Sequence, residues 1–461
     1  MSRISAEETR LNLKRCVWEG AFATPWVVIS LPGGFIMVAL LTQYFKIQPA
    51  LFGVLVSLPA WGNALQIVMI PFLARFLSSR DLFISLSWLN VGLWSMFAAV
   101  LPVIPGGGEH EVPTGFLVTF FLLASFSLSF LGVGWLAWID SWIPSKLRGT
   151  YLGKRGRIIQ IVTISFLLLS MVVLYERGDS LWPYQVLIIL AVVLRGLSNL
   201  INHTIINPIS DSNRMVRSNW FSEVWELRKH VPYKRFVVFN TYAGFWIGAI
   251  LPFGPYFAFE FLEVSQAKFA AINIMATLAG AFTMPVWGRY FDKFGTVRLM
   301  AWALGLWFVA NYLWVIMTPE THWLLFLQWF WGGAMASGFL LGSLNLLFNI
   351  APPHLKTAAI SLNLACSSTA TAIGSILLGY ILEYGVTTGF DEAMSYRIAF
   401  AVCSTMVLTS ILLLLGIKEP KQRPVDFTMT GAMRMLRQTI QSQGYTVVSN
   451  INNHLVRRNR D

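Results

Sequence analysis

The chain has 461 residues, 56% of them hydrophobic and 12% charged, about half the charged share of an ordinary soluble domain. That balance, with apolar runs of about 20 residues recurring along the whole length, excludes a water-soluble fold, a disordered chain and a disulfide scaffold. The net charge of +12 is not a nucleic-acid footprint, because the basic residues sit in short breaks between apolar runs and do not share one soluble face.

Arg3, Arg10, Lys14 and Arg15 precede the first apolar run, and no small-residue cleavage site follows it, so the run reads as a retained span. Apolar stretches bounded by Pro, Gly or charge predict twelve spans, at 18–45, 51–76, 82–103, 114–142, 158–176, 182–208, 235–260, 265–287, 298–318, 322–350, 357–383 and 395–417. Most connections are short and leave no room for a soluble catalytic domain. The longest internal break, 209–234, is basic, and so is the tail from Lys418 to Asp461. Met429, Met433, Met435 and Leu436 among Arg434 and Arg437 fit either an interfacial helix or a disordered tail. The chain therefore divides into an N-terminal bundle (1–208), a linker (209–234), a C-terminal bundle (235–417) and a basic tail (418–461).

Lys and Arg accumulate in cytoplasmic loops of membrane proteins. With both termini inside, every one of the 34 Lys and Arg residues falls in a cytoplasmic segment except Lys46, Arg177, Lys268 and Arg397, which lie outside, and Arg195, which lies within a span. The expected location is a plasma membrane, compatible with a bacterial inner membrane. Cys16, Cys366 and Cys403 show neither paired nor metal-like spacing. The sequon at Asn202 lies inside a span and is discarded. Overlaying the halves at an offset of 217 places Phe52 on Phe269 and Pro71 on Gly288, and an offset of 208 places Pro144, Leu147 and Arg148 on Pro352, Leu355 and Lys356. The ends of spans six and twelve, Asn207-Pro208 and Glu419-Pro420, also correspond, supporting six plus six helices.

The segment GRYFDKFGTVR between spans eight and nine resembles the signature loop of the major facilitator superfamily, with Gly288, Asp292, Lys293, Gly295 and Arg298 on the positions of its pattern. The resemblance implies an all-α integral membrane protein, twelve transmembrane helices in two pseudo-symmetric six-helix bundles, and a cytoplasmic gate role for Asp292 and Arg298. The first half departs from the pattern: it reads PFLARFLSSRD, with Arg75 where the acid stands and Pro71 and Ser78 where the glycines stand. The segment PSKLRGTYLGKRGR after span four is similar to the corresponding loop of a bacterial branch.

Spans one, four, seven and ten line the central cavity in that superfamily, so their polar and aromatic residues become binding candidates. Span one supplies Trp26 and the break Pro32-Gly33-Gly34, span four Trp135 and Trp138, span seven Asn240, Tyr242 and Trp246, and span ten Gln328, Trp331 and Asn345. Aromatic faces beside amides suit a neutral polyol or an amphipathic solute, although a membrane Trp is commonly an interfacial anchor. Arg195, midway through span six, is read either as an anion site or as a structural charge held by carbonyls or by Asn63, Gln66 and Asn90. No acid is recognised at its depth. Asp140, Glu19 and His203 are proton-coupling candidates, each with a plainer reading: Asp140 pairing with Arg148 or Arg155, Glu19 solvated in a first helical turn, His203 simply hydrogen-bonded.

No phosphate loop, metal-spaced cluster or Ser-His-Asp pattern is present in a credible context, so no cofactor is expected. The sequence points to a transporter of a small organic solute in a lipid bilayer, first a sugar or glycoside, with protons as a candidate coupling ion. An organic-anion carrier or a proton-driven exporter of amphipathic compounds is the alternative. A non-transporting sensor of the same fold is the alternative class, and a membrane enzyme lacks a convergent catalytic cluster.

Overall fold

A computed structural model of the chain describes residues 6–73, 78–106, 113–143, 145–175, 180–206 and 220–419. Most of the 209–234 linker's first half, and the tail beyond Glu419 with its Met-rich segment, lie outside them. The first passage consists of α1 (Ala6–Ile29), α2 (Phe35–Ala39) and a five-residue π turn (Leu40–Tyr44). It breaks where Pro32, Gly33 and Gly34 interrupt the helix ladder. Passages two to six are α3 (Pro49–Leu73), α4 (Ser79–Val100), α5 (Thr114–Trp142), α6 (Ser145–Val173) and α7 (Trp182–Thr204). A short helix, α8 (Trp220–Leu227), precedes passage seven, α9 (Val231–Ile250) and α10 (Phe253–Glu260). The remaining five are α11 (Gln266–Phe294), α12 (Thr296–Ala310) continued by α13 (Leu313–Ile316), α14 (Leu324–Ile350), α15 (Lys356–Thr387) and α16 (Glu392–Leu415).

Among the described residues, eleven of these passages are long and apolar enough to cross a membrane. The first is too charged at its start for that pattern, with Glu7, Glu8, Arg10, Lys14, Arg15 and Glu19 on α1. It nevertheless runs the full height: Arg15 donates to the Thr204 carbonyl at the terminal end of α7, and Gln43 donates to Glu260 at the opposite end of α10 (2.7 Å). Two passages start earlier than their apolar runs, at Ala6 against a predicted 18 and at Ser145 against 158, because a helix continues through charged residues once it clears the apolar layer. The result is an all-helical membrane protein of two six-helix bundles, with α1–α7 in one and α9–α16 in the other.

The bundles meet at the end remote from the termini. Phe52 packs edge-on against Phe253 and Tyr256, with centroids 5.2 and 5.3 Å away. Tyr256 donates to the Ile47 carbonyl (3.4 Å), and Phe35 lies against Phe269. At mid-height Gln160 of α6 donates to the Thr277 carbonyl of α11 (3.3 Å).

Candidate functional site

In the N-terminal bundle α1 runs antiparallel to α7 and alongside α6, and it carries a carboxylate between two arginines. Glu19 is buried (2% exposed); its Oε2 lies 2.9 Å from Arg155 Nη2 and its Oε1 lies 3.8 Å from Arg195 Nη1. Arg155 also donates through Nε to the Cys16 carbonyl (3.1 Å), and its guanidinium lies 4.5 Å from the Trp135 ring centroid. Gly20 leaves the room for this, since a Cβ there would stand 2.5 Å from the Arg155 guanidinium.

Arg195 is as buried as Glu19. It donates to Ser87 Oγ (2.6 Å) and Ser198 Oγ (3.4 Å), Ser87 in turn donates to Asn199, and the guanidinium lies over Trp26 at 4.9 Å. Trp26 stands seven residues after Glu19, on the same face of α1.

Two sequence expectations are corrected here. An acid does reach the depth of Arg195, and Glu19 is not a solvated first-turn residue: α1 begins thirteen residues before it, which carries it past the interface into the bundle. Nor do Asn63, Gln66 and Asn90 hold Arg195. Gln66 donates to Asn63 and to the Ser129 carbonyl, and Asn90 donates to Ser127 and the Ala124 carbonyl. Depth along a span is readable from sequence, but the face that meets Arg195 belongs to α1 and to Ser87 of α4.

The remaining N-terminal candidates separate. Trp138 is buried against Phe83, with centroids 5.7 Å apart. His203 is exposed at the terminal end of α7 and accepts from Trp88 Nε1 (2.9 Å). Asp140 lies two residues before the end of α5, and its side chain is outside the described residues.

In the C-terminal bundle Asn240 of α9 donates to Asn363 Oδ1 of α15 (3.2 Å). Trp246 packs edge-on against Phe245 and toward Tyr242. Tyr242 itself turns to α16, with its hydroxyl 3.0 Å from Thr409 Oγ1. Gln328 is buried and donates to Asn311 (3.1 Å) at the break between α12 and α13. Trp331, 38% exposed, donates to the Leu306 carbonyl (2.9 Å). Asn345 is half-buried on α14. The structure thus brings Asn240 to Asn363 and Trp26 to Arg195 and Glu19, while Tyr242, Gln328 and Trp331 contact neighbours within their own bundle. Neither Asn363 nor Arg155 stands out in the sequence as a binding candidate. The polar run SLNLACSSTATA around Asn363 was the available signal for the first, and the Glu-Gly pair on α1 for the second.

The segment 288–298, expected in a loop, is mostly helix. Gly288 to Phe294 complete α11, Gly295 makes the break with φ +86°, and α12 starts at Thr296; a positive φ is the conformation only glycine enters without strain. The start of α12 is capped from the end of the bundle: Glu419 accepts from Thr296 N and Oγ1, both at 2.8 Å, and from Asn349 (3.3 Å). Lys293 and Arg298 are exposed, with Lys293 Nζ 5.6 Å from the Phe294 ring. The Asp292 side chain lies outside the described residues.

A sequence profile described as Major Facilitator Superfamily matches residues 236–449. The C-terminal part of the chain is thus similar to the major facilitator superfamily. Among solved structures it is similar to the nucleoside transporter NupG, at 14% identity and TM-score 0.67, covering 89% of this chain and 100% of that one. It is also similar to a D-xylose-proton symporter, at 14% identity and TM-score 0.66, covering 90% of this chain and 99% of the other. A bacterial homolog to the human lysosomal transporter Spinster, in an inward-facing and unoccupied conformation, matches at 14% identity and TM-score 0.61, over 89% of this chain and 96% of that one. No curated protein sequence matches. The profile match and the apolar helices together indicate a multi-pass membrane protein.

Proposed function

We propose that the protein is a secondary active transporter that carries a small hydroxylated organic solute, a sugar or glycoside, across the plasma membrane by alternating access. The observation that carries the mechanism is the closure at the end remote from the termini, where Phe52 packs on Phe253 and Tyr256, and Tyr256 donates to the Ile47 carbonyl, across the two bundles. With both termini cytoplasmic, as the Lys and Arg distribution supports, the closed end is the external one.

The Asn240–Asn363 pair supports a neutral hydroxylated substrate. Each amide keeps donors and acceptors beyond the one shared bond, and these can satisfy hydroxyls without placing a charge in the bilayer. A nucleoside and a xylose are solutes of this kind, and they are what two of the structural neighbours are named for. Arg195 fits this reading as a structural charge, since it is buried and already holds Ser87, Ser198 and Glu19. Glu19, in turn, is the counter-charge of two guanidiniums, so a proton placed on it leaves both without one. Proton coupling, if used, then falls to Asp140 or His203.

Uptake into proteoliposomes of labelled monosaccharides, nucleosides and carboxylates tests the reading. Saturable counterflow of a neutral hydroxylated solute is expected, and Asn240→Ala should raise its KM roughly 2- to 12-fold, the worth of one neutral hydrogen bond. Carriage of carboxylates with no sugar or nucleoside flux overturns the substrate class. In the same assay Asp292→Asn should slow flux while binding, read by thermal shift, is retained; unchanged flux removes the gate assignment for the 288–298 segment.

A further inference from the structure

We propose that Glu383 is the latch of the remote-end gate, a carboxylate that α15 lends across the bundle interface to cap the N-terminus of α3. Helix α3 opens with Pro49, which has no N–H to donate. Ala50 therefore carries the first backbone donor of the helix, one that has no partner inside it. That donor is buried (Ala50 is 7% exposed), and Glu383 Oε2 accepts from it at 3.0 Å. The acceptor belongs to the other bundle.

The close approach that makes this bond possible is built by two glycines. A Cβ on Gly53 would stand 2.6 Å from the Ser375 carbonyl oxygen, and one on Gly379 would stand 2.6 Å from the Pro49 carbonyl oxygen. Ser375, Gly379 and Glu383 follow at four-residue intervals, so they share one face of α15. Gly53 lies one turn into α3, below Ala50. The two backbones touch, and the seam ends in a negative charge set at the positive end of α3, the favourable sign for a helix N-terminus. Glu260 forms a second tie, accepting from Gln43 at 2.7 Å across the same interface.

This inference rests on the alternating-access reading. If the bundles rock about a central site, the N-terminus of α3 leaves α15 when the remote end opens, and both Ala50 N–H and Glu383 pass to water. The capping bond then exists in one of the two forms only, and only an interaction that differs between two states moves their equilibrium. Gly53 and Gly379 allow the contact, while Glu383 biases the population toward it. The residue is legible as a gate element only in three dimensions, because in the sequence it is one more acid at the end of an apolar run.

The test reads the gate directly. In full-length protein with Cys16, Cys366 and Cys403 replaced by serine, spin labels at Val103→Cys and Phe390→Cys report the separation of the bundles at the remote end. Both positions are exposed, at 80% and 69%, and belong to different bundles. The parent should show one short distance. Glu383→Ala should raise the open-to-closed ratio roughly three- to tenfold, the worth of a partly exposed charged cap. Glu383→Gln, which keeps an acceptor oxygen and loses the charge, should shift it less in the same direction. Gly53→Leu wedges the same seam apart through packing and serves as the comparison for a large opening. If Gly53→Leu opens the gate while both Glu383 variants keep the parental distribution, the seam alone holds the gate and the latch assignment is overturned. The distances need no substrate, so a failed transport assay and a failed latch are separate results.

Discussion

Glu19→Gln should destabilise the protein by about 3–5 kcal/mol, the cost of stripping one partner from a buried ion pair, and should appear as a marked fall in the apparent melting temperature of purified protein. The expected effect is large because the cluster is asymmetric. Two guanidiniums, on Arg155 and Arg195, share one carboxylate. Removing either arginine leaves a balanced pair, whereas removing the acid leaves two cations facing each other in the bundle. The order of effects is therefore the sharper expectation: Arg195→Met should cost less than Glu19→Gln, and the double variant Glu19→Gln, Arg155→Gln should recover part of the single loss. Equal melting temperatures for parent and Glu19→Gln would show that the carboxylate is not the counter-charge. Loss of transport alone, with stability unchanged, would return Glu19 to the list of proton carriers.

Gly374→Ala is the second. A Cβ at Gly374 would stand 2.2 Å from the Phe245 carbonyl oxygen and 3.3 Å from the Ala249 nitrogen; these are backbone atoms of α9 and cannot rotate away as a side chain could. The helices have to part, at a cost of about 1–3 kcal/mol for overpacking in a close-packed interior. The same α9–α15 seam holds Asn240 against Asn363, so transport should fall together with stability. Gly196→Ala on α7 is the matched control: nothing lies within 4 Å of its Cβ position, and it should be neutral or slightly stabilising through reduced backbone entropy of the unfolded chain. A Gly374→Ala protein as stable and active as the parent would mean that the two helices are not in backbone contact.

The gate segment shows how far a motif can be carried. Its residue types resemble the superfamily that the profile match also names, and its glycine at 295 does make the turn, yet Gly288 to Phe294 finish a helix where a loop is expected. Charged residues broke the hydropathy pattern there without breaking the helix ladder, because a helix end in water keeps its backbone bonds. In sequence Glu419 is only a repeat position opposite Asn207; its role as the cap of α12 depends on the end of the last passage meeting the start of the ninth.

The sequence by itself determined that the chain is a helical multi-pass membrane protein and that its 288–298 segment resembles the major facilitator signature. These follow from the length and apolarity of each run and from local residue patterns, which water and lipid read one segment at a time. The tertiary structure alone decided which polar residues face one another: Glu19 with Arg155 and Arg195, Asn240 with Asn363, and Glu383 with Ala50. Each of these pairs joins residues more than a hundred positions apart, on helices whose rotation is set by packing against a neighbour. In hydrocarbon a helix gains nothing from water to fix that rotation, so even where polar residues recur along one face, as Arg195, Ser198, Asn199 and Asn202 do on α7, the chain does not record which helix they meet.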